Sequence, residues 1–122
     1  MLIDHWGCVH IVRRSPDWCR AMQHSIRPAQ MRNVAVRLRR QVRPWSNVGS
    51  SDVAAWWLRQ QFESGRLDTD EDRPIKPAFD TVCPPCTTWR RAVGDCDDYT
   101  AMMTSLIRQM GSHADFVAGQ VL

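Results

Sequence analysis

The 122-residue sequence has no long apolar run, a single lysine, and no basic segment at its start. Each shortage excludes something. A membrane-crossing helix needs about 20 consecutive apolar residues, and every apolar stretch here is far shorter, so no membrane partner is expected. Asp4 and His5 stand where a secretory signal would carry its basic residues, and the expected location is cytoplasmic. The length allows one domain at most, with enough apolar residues for a core and little to spare. Fifteen arginines accompany the one lysine, and the net charge of +3 hides a split: residues 1–50 carry nine Arg against two Asp, whereas residues 51–122 carry seven basic against eleven acidic groups. The arginine excess fits bidentate anion contacts or simply a GC-rich genome, so a nucleic-acid partner is not assigned from it.

Along the chain, Met1 to Val12 alternates weakly and reads as a strand or an irregular lead-in. Ser15-Pro16-Asp17 predicts a helix opening, with Ser at the cap and Pro at the first helical position, running to about Ile26 before Pro28. A second helix opens near Pro28. Met31, Val34, Ala35, Leu38 and Val42 form its apolar stripe, with Arg32, Arg37, Arg39, Arg40 and Arg43 mostly off it, either as a solvated face or as a surface for an acidic partner. Pro44 to Ser50 is turn-rich and divides a basic helical segment, 1–50, from a second unit, 51–122. A third helix, Asp52 to Ser64, carries adjacent Trp56 and Trp57, which cannot share one face. Leu67 to Pro77 reads as an acidic exposed loop. Asp68, Asp70 and Asp72 alternate there as in calcium loops, but the glycine and terminal glutamate of that motif are missing.

The five cysteines leave one unpaired in any full set of internal disulfides. Cys83-Pro84-Pro85-Cys86 has the spacing of a zinc pair, a redox dithiol, or plain cysteines. A structural zinc at Cys83 and Cys86 requires two more ligands, from Cys8 with His5 or His10, or from Cys19. A thioredoxin-like reading lacks the second half of that fold. No other cofactor is expected.

The segment Gly94-Asp95-Cys96-Asp97-Asp98 opens the clearest helix. Gly94 can take backbone angles closed to other residues, Asp95 can cap, and Asp97 and Asp98 complement the exposed N–H groups of the first turn. Met102, Met103, Leu106, Ile107 and Met110 then recur at helical spacing, Arg108 lies in the last turn, and Gly111 is the stop. The helix is expected to be buried on one face, and Ala114 to Val121 to return as a strand. Cys96 falls at the helix N-terminus, a position that lowers a thiol pKa, although acidic neighbours act the other way.

Residues Gly94 to Gly119, GDCDDYTAMMTSLIRQMGSHADFVAG, resemble the nucleophile segment of the transglutaminase-like superfamily, in the compact versions found in bacteria and tailed phages. The resemblance covers roughly the C-terminal half of the chain. It implies an α+β, helix-dominated fragment of a papain-like fold, with the nucleophile helix followed by one strand. It also implies thiol acyl transfer on the amides of a protein or peptide, with Cys96 as nucleophile and Asp95, Asp97 and Asp98 in support. Such chemistry needs a His as base and an Asp to orient it. The family carries these on later strands, and the sequence ends at Leu122 before them. His113 stands at the far end of the helix, on the order of 20 Å from Cys96.

Three readings stay open: a piece of a longer enzyme, a chain completed by another polypeptide, or a non-catalytic structural or assembly protein, for instance in a phage particle and hence virion-associated. A small zinc-stabilised binding module is a further alternative. The isolated chain is expected to lack amidase activity, and the Phe116–Leu122 edge is the expected site of homo- or hetero-oligomeric pairing.

Overall fold

The computed structural model describes residues 2–12, 15–42, 49–69 and 79–117. The fold is α+β and dominated by helices. A hairpin starts the chain, β1 (Leu2–Ile3) turning into β2 (Val9–Val12). Gly7 makes that turn possible with φ +81°, while Asp4 Oδ1 accepts the N–H groups of Trp6 and Cys8. Helix α1 (Trp18–Ser25) begins after Asp17. It starts later than the Ser15-Pro16 signal suggests, because the Ser15 side chain accepts the Asp17 N–H and its carbonyl the Trp18 N–H, which completes a turn first. A 3-10 turn, Pro28–Met31, leads into α2 (Arg32–Val42), and α3 covers Ser50–Glu63. Then come β3 (Asp68–Thr69), β4 (Phe79–Val82), α4 (Pro85–Arg91), β5 (Val93–Gly94) and α5 (Cys96–Gln109).

Strand β2 is central in an antiparallel sheet of order β1-β2-β4, with Val9 opposite Val82 and Ile11 opposite Asp80. Strands β3 and β5 form a separate short parallel pair, Asp68 opposite Val93. No helix among the described residues is long and apolar enough to cross a membrane.

Helix α5 lies between two cores, so it is buried on more than the single face its apolar stripe suggests. Tyr99, Met102 and Leu106 join Met31, Ala35, Leu38, Val53, Ala54 and Trp57 in a helical core. Full burial of a side chain such as Leu106 contributes about 2–3 kcal/mol. On another side Ala101 meets Val9, Ile11, Met22 and Val82 under the sheet. Small residues make that approach possible: Ser105 is fully buried, donating to the Ala101 carbonyl and accepting the Arg27 N–H. Both cores, and the β2–β4 pairing, draw on residues before and after position 50. Most of the Pro44–Ser50 boundary, and Asp70 and Asp72 of the calcium-like run, lie outside the described residues.

The two adjacent tryptophans separate as their spacing requires. Trp57 is buried and stacks on Trp89, whereas Trp56 is half exposed. The strand expected from Ala114 is not formed through Val117. Arg108 explains why: it bonds the Ala114 carbonyl through Nε and pairs with Asp115, tying the segment to the helix end, while Phe116 packs edge-on against Trp18. An oligomerising edge over 116–122 therefore has no strand at Phe116 and Val117, and its remainder lies outside the described residues.

Candidate active site at the head of α5

Asp95 caps α5 and places Cys96 as its first helical residue. A reciprocal pair of bonds fixes the start: Asp95 Oδ1 accepts the Asp98 N–H, and Asp98 Oδ2 accepts the Asp95 N–H at 3.1 Å. Asp98 Oδ1 also accepts the Cys83 N–H at 2.8 Å, so one buried carboxylate joins the helix head to the end of β4. Gly94 serves this junction by size. Its φ lies outside the left-handed region, contrary to the conformational role expected for it, but a Cβ there would stand 2.9 Å from Asp98 Cβ and 3.2 Å from Thr88 Cγ2. Two residues earlier, Ala92 takes the left-handed conformation at φ 61° and ψ 18°, closing α4.

Cys96 is exposed, with Sγ 3.9 Å from Asp97 Oδ1. Beside it, single carboxylate oxygens of Asp80, Asp95 and Asp97 all lie within 4.8 Å of one another. Asp80 reaches this place because β4 alternates: it shares the face of core residue Val82, at the margin of the core. The sequence reading passed over Asp80. Its one local signal was a carboxylate in phase with the apolar residue of a short strand. Crowded carboxylates with little water cannot all ionise freely. Burial, then the hydrogen bond and charge of Asp80, push Asp97 up to about 7, against a stabilising bond from the Trp18 side chain. Burial and the Asp95 charge push Asp98 up to about 7, opposed by the N–H bonds from Cys83 and Asp95. The Cys96 thiol is raised above its ordinary value by burial first and by Asp97 and Asp95 next. Burial and the anionic neighbours together oppose the thiolate that the helix terminus would favour. Three carboxylate oxygens so placed match the preference of a hard cation.

All four histidines are described, and none is placed to serve Cys96. His10 bonds Asp4 through Nε2 at 2.8 Å and Thr81 through Nδ1 at 3.1 Å, and it pairs with Thr81, on the sheet face opposite Asp80. His24 is bonded by Arg27, the His5 ring lies tilted against Trp6, and His113 is exposed beyond the far end of α5.

Cys83 and Cys86 are not brought together as a metal pair. Cys83 forms a disulfide with Cys8 across the start of β2 and the end of β4. A sulfur in a disulfide has no thiolate to offer zinc, so a zinc centre there requires this bond to open. Cys86 is exposed, and its backbone N–H bonds Gln30 Oε1. Cys19 is also free and exposed.

Comparison with protein-family models, with characterised proteins and with solved structures finds no match.

Proposed function

We propose that this chain is a transglutaminase-like cysteine domain in which Cys96 performs thiol acyl transfer on amides once a histidine base reaches the head of α5. The observation that carries this reading is the exposed Cys96 thiol at the first residue of a rigidly capped helix, beside Asp80, Asp95 and Asp97. Alone, the thiol is held protonated by burial first and by Asp97 and Asp95 next. The same neighbours attract an imidazolium. A neutral histidine supplied by a partner segment would take the thiol proton, and the imidazolium so formed would be stabilised by the carboxylates beside Cys96 and could be oriented by one of them as triads require. The thiolate would then attack an amide carbonyl, the imidazolium would protonate the leaving amine, and the acyl group would pass to water or to another amine.

Free imidazole can stand in for the absent side chain. With p-nitrophenyl acetate as acyl donor, imidazole should speed formation of the Cys96 thioester, read by peptide mapping, well beyond its effect on Cys19, and Cys96→Ser should abolish that product. Equal acceleration at Cys19 and Cys96 would remove the enzyme reading.

A second reading, a non-catalytic structural or assembly protein, is favoured by one feature. The capping box and the bond to Cys83 already give Asp95 and Asp98 structural work that needs no chemistry.

A further inference from the structure

A cleft of about 530 Å³ opens between the Pro28–Met31 turn with α2 on one side and α4 on the other. Its size is that of a small-molecule site. Three arginines line it, Arg37, Arg66 and Arg90, and no acidic residue does among the described residues; the Arg90 guanidinium lies 5.9 Å over the Trp6 ring. None of the three is paired with an acidic side chain among the described residues.

Arg66 is held in place before any ligand arrives. Its guanidinium lies 3.9 Å over the Trp89 ring and donates to the Trp89 carbonyl at 3.0 Å, while Trp57 stacks on the same indole. A fixed, half-buried cation loses little freedom on binding an anion. The floor is apolar, formed by Met31, Val34, Pro85 and Trp89. At the rim, Gln30 uses its Oε1 to accept the Cys86 N–H, which leaves its NH2 as a donor. The cleft therefore combines three arginines, an amide donor and an apolar surface, with no acidic side chain among its described residues.

We propose that this cleft binds a small organic phosphomonoester, its phosphate among Arg37, Arg66 and Arg90 and its apolar body against Met31, Val34 and Pro85. Guanidinium groups match phosphate oxygens in bidentate geometry, and the apolar floor separates such a ligand from inorganic phosphate. The inference is independent of the chemistry at Cys96, whose own surroundings are anionic.

The test is a titration of the full chain with phenyl phosphate, followed by NMR at the Trp89 indole and Gln30 amide signals. Saturable shifts are expected, weakened by added salt and weakened about ten-fold or more in Arg37→Gln and in Arg90→Gln, since a hydrogen bond to a charged group is worth that much. Both arginines are exposed, so these changes leave the core alone. Arg20→Gln, outside the cleft, should bind as the parent does. A second readout is protection of Cys86, which lines the cleft, from iodoacetamide by phenyl phosphate, with Cys19 unprotected. The proposal is overturned by an absence of saturable shifts, by phenol or inorganic phosphate binding as well as phenyl phosphate, or by arginine variants that bind undiminished.

Discussion

Replacing Asp97 by asparagine probes the carboxylate cluster while keeping its shape. In the folded chain Asp97 titrates near 7 instead of 3.8, because burial and Asp80 disfavour its charge. The folded state therefore holds this proton more tightly than the unfolded state does between about pH 4 and pH 7. That contribution to stability is complete below the unfolded value and is lost as the pH rises through about 7. A shift of roughly 3 units corresponds to an upper limit of about 4 kcal/mol. Asp97 is only partly buried and its titration is tied to that of its neighbours, so solvent and coupling reduce the expected effect to about 1–2 kcal/mol. The asparagine side chain would still accept from Trp18 through its oxygen and would offer its NH2 to Asp80. At about pH 8 the variant should be more stable than the parent by this amount, raising the melting temperature by roughly 3–8 °C. At about pH 5, where the parent Asp97 is already protonated, the two should melt within about 2 °C of each other. Part of the pH dependence should survive in the variant, because Asp98 is shifted in the same direction. Calorimetric melts at both pH values decide the matter: equal destabilisation of Asp97→Asn at each would refute the argument that the cluster stores charge repulsion.

Two further substitutions test the backbone around the helix head. Gly94→Ala should cost about 2–4 kcal/mol in chemical denaturation, because the new Cβ at 2.9 Å from Asp98 must displace the carboxylate that completes the cap and holds the Cys83 N–H; a loss under about 0.5 kcal/mol would show that Asp98 can yield freely. Ala92→Gly should stabilise the chain by about 0.5–1 kcal/mol, since the left-handed conformation costs a residue with a Cβ more than glycine loses in unfolded entropy. A lower denaturation midpoint for that variant would contradict it.

Local signals carried the reading of α5 well. The Asp95 cap, the Met102 and Leu106 spacing and Gly111, which adopts φ +90° just past the end, all act within a few residues of each other. The helix Asp52–Ser64 was legible for the same reason, and it is observed as Ser50–Glu63. What could not be read depends on pairings far apart in sequence. Val82 meets Val9 across the sheet, Cys83 meets Cys8, and Asp80 reaches Asp97 only once β4 lies against α5. The return strand failed on similar grounds. Alternation from Ala114 to Val117 supplies a pattern, but a strand exists only with a partner, and Arg108 engages this backbone first. The proposed cleft draws Arg37, Arg66 and Arg90 from three separate segments, so the basic run of α2 contributes one of its three cations.

The account rests on Cys96 being an accessible thiol that waits for a base, and its titration tests this most directly. Alkylation of Cys96 by limiting iodoacetamide should be followed across pH by peptide mapping, with and without imidazole, alongside the free and exposed Cys19 and Cys86. Without imidazole, Cys96 should titrate above the ordinary thiol value and react after Cys19 and Cys86, because burial, Asp97 and Asp95 oppose its charge. With imidazole its midpoint should move down. A Cys96 midpoint at or below the ordinary thiol value in the absence of imidazole, or one that imidazole leaves unmoved, would contradict the account.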